Sequence, residues 1–130
     1  MGGLRVLSLV LALLVPGGVA MSADCAALTK RAKIAECIGD DFQRADATLN
    51  SVYKRLMHGL GKTGQTGLRD AERAWIAFRD KHCAFVGGAS AGGSIQAMVI
   101  GQCQTELTVD RVAQLAWQLH CAGTDAACAR

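Results

Sequence analysis

Proline and aromatic side chains are scarce in this chain of 130 residues, which has one proline and 5% aromatic residues. Segments in which β-branched and polar residues alternate are also rare. Because strands depend on β-branched and aromatic residues in that alternation, the composition argues against an all-β domain. A helical domain with few aromatic residues has little large apolar surface to bury, so it needs another source of stability.

Metal-binding spacings are absent as well. No Cys-x-x-Cys occurs, and His58, His82 and His120 are too far apart to form a histidine pair with zinc spacing. We expect these histidines to be surface or half-buried helix residues. The sequence therefore predicts neither a metal nor another cofactor.

Positive charge is not concentrated in any segment. The basic run from Lys30 to Lys33 is followed by Glu36, Asp40 and Asp41, an alternation typical of solvated helix faces. Nucleic-acid binding requires a basic stripe and aromatic platforms. The sequence has neither, so we expect no nucleic-acid partner.

The longest apolar run covers residues 6–15 and is too short to span a bilayer as a permanent helix. Arg5 precedes the run, and Pro16, Gly17 and Gly18 interrupt it before small residues follow. This order predicts a signal peptide over residues 1–23, cleaved after Ala20 or Ala23. Residues 24–130 then form a single domain with a short tail that contains cysteine.

A lipid anchor is not expected on the mature chain. Lipidation requires small residues directly before the modified cysteine, and Asp24 precedes Cys25. We therefore predict no stable membrane anchor after cleavage, and a periplasmic or secreted protein.

All six cysteines follow the predicted leader. An even number in a short exported chain predicts three disulfides. In an antiparallel hairpin, Cys83 and Cys103 lie at about the same level along the helix axes, which favours a Cys83–Cys103 bridge. Cys25 and Cys37 flank the predicted first helix, and Cys121 and Cys128 flank the tail, which suggests the other two bridges. Six cysteines still allow many connectivities.

Apolar residues recur every three or four positions in three long stretches, the spacing that gives a helix one apolar face. The pattern predicts helices over Ile38–Leu60, Gln65–Val86 and Ser94–His120, after a short first helix near Ala26–Ala35. Short connections make neighbouring helices antiparallel. We therefore predict an all-α fold, a small antiparallel helical bundle stapled by disulfides.

The same pattern predicts individual positions. The apolar side of the second long helix carries Leu68, Ala71, Trp75, Phe78 and Phe85, which we expect to be buried. In the third long helix, Thr108 is a candidate N-cap at which the helix stops and starts again. Threonine hydroxyls accept hydrogen bonds from the free amides at helix starts.

No catalytic pattern is complete. The segment Gly87–Ser94 faintly resembles a phosphate-binding loop, but glycine stands where the lysine is needed and no strand precedes it. The serines lack histidine and aspartate neighbours of catalytic type. Helix-surface charge explains the acidic pairs Asp40/Asp41 and Asp70/Glu72 better than glycoside chemistry does. We therefore predict no catalytic residues and no enzyme activity.

Two polar clusters interrupt the apolar helix patterns. Asp46, Asn50 and Tyr53 share one side of a helix at i, i+4 and i+7, and Arg79 lies in the next helix. A buried polar group without a partner is costly. We predict a structural polar seam in which Arg79 pairs with Asp46 or Asn50 and Tyr53 closes the network. A direct binding role for these residues is the alternative.

The order of these motifs resembles the LprI-type lysozyme inhibitor domain. The matching residues are Cys25, Cys37, Asp46-x-x-Leu-Asn-x-x-Tyr53, Arg73-x-Trp-x-x-Phe-Arg-Asp-x-x-Cys83, Gly92-Gly93-Ser94, Cys103 and Leu107-Thr108-x-x-Arg111. The resemblance extends from Cys25 to about Leu119. Glu72 stands where the family usually carries glutamine, the Cys121–Cys128 tail is an addition, and the lipoprotein anchor of the named inhibitor is missing.

The resemblance implies a binding protein, with inhibition of a lysozyme or another cell wall hydrolase as the first hypothesis. The alternative is an envelope module that binds a protein or peptide without inhibiting, and an enzyme is the third reading. Animal lysozymes are basic, and this chain carries a formal net charge of +3. Affinity for such a partner must therefore come from shape and local contacts.

An inhibitor of this kind blocks a substrate cleft with a protruding element, and the glycine-rich loop Gly87–Ser94 is the only long candidate. The alternative is that this loop only turns the chain. The predicted partner-binding residues at and beside the loop are Lys81, His82, Gly87, Gly88, Ser90, Gly92, Gly93, Ser94 and Gln96.

Overall fold

The computed structural model describes residues 23–121 and 126–129. Its helices are α1 (Ala23–Ala26), α2 (Arg31–Gly59), α3 (Lys62–Gly87) and α4 (Gln96–Leu119), with a single 3-10 turn at Gly88–Ser90. The described residues contain no β-strand. The predicted all-α bundle stapled by disulfides is confirmed.

The three long helices run up, down and up. Cys83 on α3 meets Cys103 on α4, and Glu72 meets Arg111 further along, so α3 and α4 are antiparallel. α2 runs parallel to α4 and packs along it, whereas α2 and α3 make few contacts with each other. α4 is therefore the helix that holds the other two together.

An apolar cluster occupies the half of the bundle near the α2–α3 turn. Its buried members are Leu49, Val52, Leu56, Leu60 and Leu115. The first four recur at helical spacing along α2, as the apolar pattern predicts. Partly buried side chains that complete the cluster are Tyr53, Leu68, Trp75, Val112, Ala116 and Leu119.

Toward the α3–α4 hairpin the helices approach each other through glycine. A Cβ added to Gly87 would lie 2.5 Å from Cγ1 of Ile100, and one added to Gly101 would lie 2.9 Å from Cγ2 of Ile38. No side chain fits at either position without displacing its neighbour. These two glycines therefore set the spacing of α4 from both α3 and α2 at this end.

The three predicted disulfides are present in the structure. Cys25–Cys37 joins α1 to α2, Cys83–Cys103 joins α3 to α4, and Cys121–Cys128 closes the tail, with Cα separations of 5.7, 5.6 and 5.5 Å. The Gln118 side chain fixes the tail to α4, since its Nε2 donates to the Ala127 carbonyl and its Oε1 accepts from the Ala129 amide.

The predicted short helix over Ala26–Ala35 is wrong. α1 ends at Ala26, and residues 31–35 already belong to α2. The Lys30 carbonyl accepts hydrogen bonds from the amides of Lys33 and Ile34, and no glycine or proline interrupts the chain from there to Cys37. The exposed Lys33–Glu36 ion pair spans the predicted break, and the hydrogen bond and charge of Glu36 raise the pKa of Lys33.

Thr108 does not cap a helix restart. α4 is continuous from Gln96 to Leu119, and Thr108 is fully buried with its hydroxyl donating to the Gln104 carbonyl one turn earlier. Threonine can satisfy its hydroxyl in this way without breaking a helix. The sequence pattern cannot distinguish that arrangement from a cap.

The predicted signal peptide lies outside the described residues, apart from Ala23, which begins α1. Among the residues that are described, no helix combines the length and the apolar character needed to cross a membrane.

Candidate functional site

The predicted binding loop forms a compact, hydrogen-bonded turn at the end of the α3–α4 hairpin. The amides of Ala91 and Gly93 donate to the carbonyls of Gly88 and Ser90, and the Ser90 hydroxyl donates to the Gly87 carbonyl. These bonds place the loop on a defined path.

Two further contacts tie the loop to the helices. The Gly92 amide donates to Oε1 of Gln96, and Arg31 Nη1 donates to the Ser94 hydroxyl at 2.6 Å. Gly92 has a φ of 73°, a conformation that favours glycine. Ser94 and Gln96, predicted as partner-binding residues, therefore also hold the loop in place.

Apolar side chains are exposed on the last turns of α3 and just after the loop. Phe85 is 81% exposed and Phe78 53%, and Val86 and Ile95 are exposed nearby. The rings of Phe78 and His82 stack with centroids 5.4 Å apart. Lys81 and His82 are also exposed, so charged and polar groups border this surface. We call Phe78, Phe85, Val86 and Ile95 the hairpin surface.

The sequence analysis predicted that Ala71, Phe78 and Phe85 are buried, and this prediction is wrong, since all three are exposed. The buried residues of α3 are Glu72, Arg79, Cys83 and Gly87. At 3.6 residues per turn, Phe85 lies about 200° around the helix from Cys83. The predicted Cys83–Cys103 bridge was the signal that could have shown this, because it determines which side of α3 faces α4.

The base of the hairpin surface is held rigidly. Cys83 is fully buried in its bridge to Cys103, and Gly87 lies against Ile100 one turn further along. The exposed aromatic side chains therefore extend from a hairpin that is fixed both covalently and by close packing.

In the region predicted as the polar seam, Arg79 reaches across the bundle. Its Nη1 lies 3.5 Å from Oδ1 of Asp46 and 3.4 Å from the Thr108 hydroxyl, and its Nε donates to Asp80 at 2.9 Å. Asn50 donates to the carboxylate of Asp46 rather than contacting Arg79. Tyr53 packs instead against the apolar cluster.

Two guanidinium groups lie over aromatic rings between the helices. The Arg79 guanidinium lies 5.1 Å from the Phe42 ring and 5.2 Å from the Trp75 ring, and the Arg111 guanidinium lies 5.7 Å from the Trp75 ring. Cation–π contacts of this kind stabilise partly buried arginines. Trp75 is half-buried and also packs against the apolar cluster.

Glu72 pairs with Arg111 but leaves one oxygen free. Nε and Nη2 of Arg111 both donate to Oε2 of Glu72, each at 3.0 Å. Oε1 is buried and has no hydrogen-bond partner among the described residues. The sequence analysis assigned Glu72 to surface charge, which is wrong, since the residue is 7% exposed.

A groove lies between α2 and α3, where these helices make few contacts. It is lined by Asp46, Leu49, Asn50, Tyr53, Arg69, Glu72, Arg73 and Ile76. The Arg79–Asp46 contact lies toward one end. At the α2–α3 turn the Gln65 side chain donates to the carbonyls of Met57 and Leu60. The groove thus extends between two places where the helices are tied together.

One group of residues in the described part of the chain has metal-ligand spacing. Cys25, Cys37 and Asp41 place their ligand atoms within 4.8 Å of one another. The two sulfurs are bonded to each other, however, and metals bind the deprotonated thiolate. This group therefore lacks the thiolates that a metal site requires.

Comparison with known proteins identifies the family. The family model of "Lysozyme inhibitor LprI" matches residues 22–115. An uncharacterized protein of Rhizobium meliloti (strain 1021) is 30% identical over 105 residues, covering 71% of this chain and 76% of the relative. No solved structure matches. On the family match, this chain belongs to the LprI lysozyme inhibitor family.

Proposed function

We propose that this protein is exported, loses residues 1–23, and inhibits a lysozyme or another cell wall hydrolase in the periplasm or outside the cell. Membership of the LprI family supports this function. The three disulfides support an oxidising compartment, since such bonds persist outside the cytosol. Residues 24–130 are then the mature, non-catalytic domain.

The observation that carries the proposal is the exposure of Phe85, at 81%, on a hairpin whose base is closed by Cys83–Cys103. Exposed apolar groups rimmed by polar ones mark interaction surfaces on soluble proteins. A rigid base lowers the ordering cost of inserting such a surface into a cleft. We therefore assign the partner contact to the hairpin surface and the loop Gly87–Ser94.

Charge at the contact is compatible with a basic partner. The cleft of most glycoside hydrolases contains two carboxyl groups that flank the scissile bond. Lys81 and His82 are exposed beside the hairpin surface, where they could donate hydrogen bonds to such carboxylates. Local complementarity of this kind does not require the whole protein to be acidic.

A turbidity assay tests the proposal. The mature, disulfide-bonded protein is added to lysozyme acting on a bacterial cell suspension, and we expect clearing to slow in proportion to its concentration. Phe85→Ser is expected to weaken inhibition about tenfold or more, as removal of an exposed aromatic anchor does at interfaces. Trp117→Ser is the matched control, because Trp117 is 51% exposed at the opposite end of the bundle.

Replacing Gly88–Gly93 with a polar linker of equal length tests the loop separately. Folding is checked by circular dichroism before inhibition is measured. Full inhibition by a folded loop variant and by Phe85→Ser would remove the hairpin end from the mechanism. Absence of inhibition by the parent protein against a panel of lysozymes would contradict the function itself.

The second candidate function is an envelope binding module that does not inhibit. The groove between α2 and α3 favours it, because this groove lies apart from the hairpin surface and is lined by charged side chains. Binding without inhibition in the assays above would support this alternative.

A further inference from the structure

The side of α3 that faces away from the bundle carries a second row of small and apolar residues, interrupted by one lysine. Steps of four and three residues alternate along this row, which is the spacing of the contact positions in a coiled coil. We call it the outer row, and its members, all exposed, are Gly67, Ala71, Ala74, Phe78, Lys81 and Phe85. The buried residues Glu72, Arg79 and Cys83 lie on the opposite side of α3. The outer row is therefore accessible to a second molecule.

Side-chain size changes along the outer row. The first three members are glycine or alanine, and the last three have long or aromatic side chains. When two copies of α3 pack antiparallel about a two-fold axis at position 76, every large member meets a small member of the other copy. The two members of each pair are equally distant from position 76, and the pairs are Phe85 with Gly67, Lys81 with Ala71, and Phe78 with Ala74. A two-fold interface requires this kind of self-complementary surface.

Charge supports the antiparallel direction. Lys81 and Asp70 are exposed, and neither belongs to an ion pair among the described residues. In the antiparallel arrangement Lys81 lies against Ala71 of the second copy, directly beside Asp70, and the two-fold axis creates this contact twice. A parallel arrangement would place Lys81 against Lys81, and the contact between like charges is unfavourable.

Gly67 is a further reason to expect a close neighbour at this face. It lies inside α3, where glycine is less favourable than alanine. A Cβ added to Gly67 would meet nothing within 4 Å, so no contact within the single chain requires glycine there. In the antiparallel arrangement Gly67 lies opposite Phe85, which is 81% exposed in the single chain. Glycine then leaves room for the aromatic ring.

We propose that two copies of this protein form a dimer through the outer row, with their α3 helices packed antiparallel. At 1.5 Å per residue the row is about 27 Å long, so the contact is confined to one pair of helices. Small interfaces are typical of weak and transient complexes. The dimer should therefore be reversible and should form as the protein concentration rises.

Sedimentation equilibrium of the mature, disulfide-bonded protein tests the dimer. Between about 10 μM and about 1 mM we expect a reversible change from monomer to dimer. Ala74→Glu should weaken the dimer about tenfold or more, because it places a charge against Phe78 of the second copy. Ala113→Glu is the matched control, since Ala113 is an exposed alanine within α4. A protein that stays monomeric up to about 1 mM, or equal weakening by the two variants, would overturn the proposal.

Charge reversal tests the direction of packing and does not depend on Ala74. Lys81→Glu alone should weaken the dimer about tenfold, because two ion pairs become two contacts between like charges. Addition of Asp70→Lys to the same chain restores opposite charges across the interface. We expect the double variant to recover the parent affinity to within about threefold. Failure of the double variant to recover would overturn the antiparallel arrangement.

The dimer covers Phe78 and Phe85, and its effect on inhibition rests on the proposed function. The dimer would then be unable to inhibit, and the monomer would be the inhibitory form. Ala74→Glu lies outside the hairpin surface and should inhibit at least as strongly per chain as the parent. A dimer without inhibition by either protein would contradict the proposed function and leave the dimer in place. Inhibition by a protein that never forms a dimer would overturn the dimer alone.

Discussion

Around the α2–α3 turn the bundle buries leucine and valine, whereas toward the α3–α4 hairpin it buries small and polar residues. The first group comprises Leu49, Val52, Leu56, Leu60 and Leu115, and the second Ala45, Cys83, Gly87, Thr105, Thr108 and Arg79. Small residues bury little apolar area, and this area sets the hydrophobic contribution. The hairpin half is instead held by two disulfides, Cys25–Cys37 and Cys83–Cys103, and by close helix approach.

This difference explains where the aromatic residues lie. In the hairpin half, covalent bridges and glycine contacts set the helix spacing, so Phe78 and Phe85 are not needed inside. They are exposed instead, where they can contact a partner. One half of the molecule is stabilised by hydrophobic burial, and the other presents apolar surface on a covalently stabilised frame.

Leu115→Ala should have the largest effect on stability. Leu115 is 4% exposed among the α2 leucines, so its truncation leaves a cavity that costs about 2–5 kcal/mol. Ile95→Ala, in the exposed part of the hairpin half, should cost less than about 0.5 kcal/mol. Urea unfolding measures both, and equal losses would contradict the contrast between the halves.

Removal of the hairpin bridge should have the next largest effect. The Cys83→Ala, Cys103→Ala double variant opens a loop with a sequence separation of 20, which should cost about 2–4 kcal/mol. The matching double variant of Cys121 and Cys128 opens a separation of only 7 and should cost less. Thermal unfolding followed by circular dichroism compares them, and a larger loss in the tail variant would be inconsistent with this account.

Gly87→Ala should destabilise the hairpin half by about 1–3 kcal/mol, because the new Cβ collides with Ile100. Gly88→Ala is the control one residue away, since a Cβ there meets nothing within 4 Å and the backbone is helical. We expect the control to be neutral or slightly stabilising. Similar unfolding midpoints for the two variants would show that the close approach does not constrain the fold.

Arg79 and Asp46 should be coupled only modestly. They are 3.5 Å apart, and the Asp46 side chain is 43% exposed to screening solvent, so we expect a coupling energy of about 0.5–1 kcal/mol. The double-mutant cycle of Arg79→Met and Asp46→Ala measures it. Strictly additive losses would mean that the contact contributes nothing between the helices.

Phe85→Ala should have the smallest effect on stability, less than about 0.5 kcal/mol, because its side chain is already in solvent. Its effect on lysozyme inhibition should nevertheless be the largest of these variants. Parallel unfolding and turbidity measurements check this separation. A strong loss of stability without a change in inhibition would place Phe85 in the core, as the sequence pattern predicted.

Much of the candidate site could not be predicted from local sequence. The loop Gly87–Ser94 was identified by its glycines, but its hydrogen bonds to Gln96 and Arg31 depend on the helices that flank it. From the local sequence alone, Glu72 cannot be distinguished from the other charged residues on a polar helix face. Only the approach of α4 brings Arg111 to one of its oxygens and leaves the other without a partner.

The sequence by itself determined the helical class, the three long helices and the even set of cysteines available for bridging. These follow from short-range regularities, namely apolar spacing along each helix and the chemistry of thiols in an exported chain. Only the tertiary structure decided which side of α3 faces inward, because Phe78 and Phe85 make an apolar stripe as plausible as the true buried one. The Cys83–Cys103 bond and the contact between Gly87 and Ile100 fix the rotation of α3, and both depend on residues that are distant in sequence.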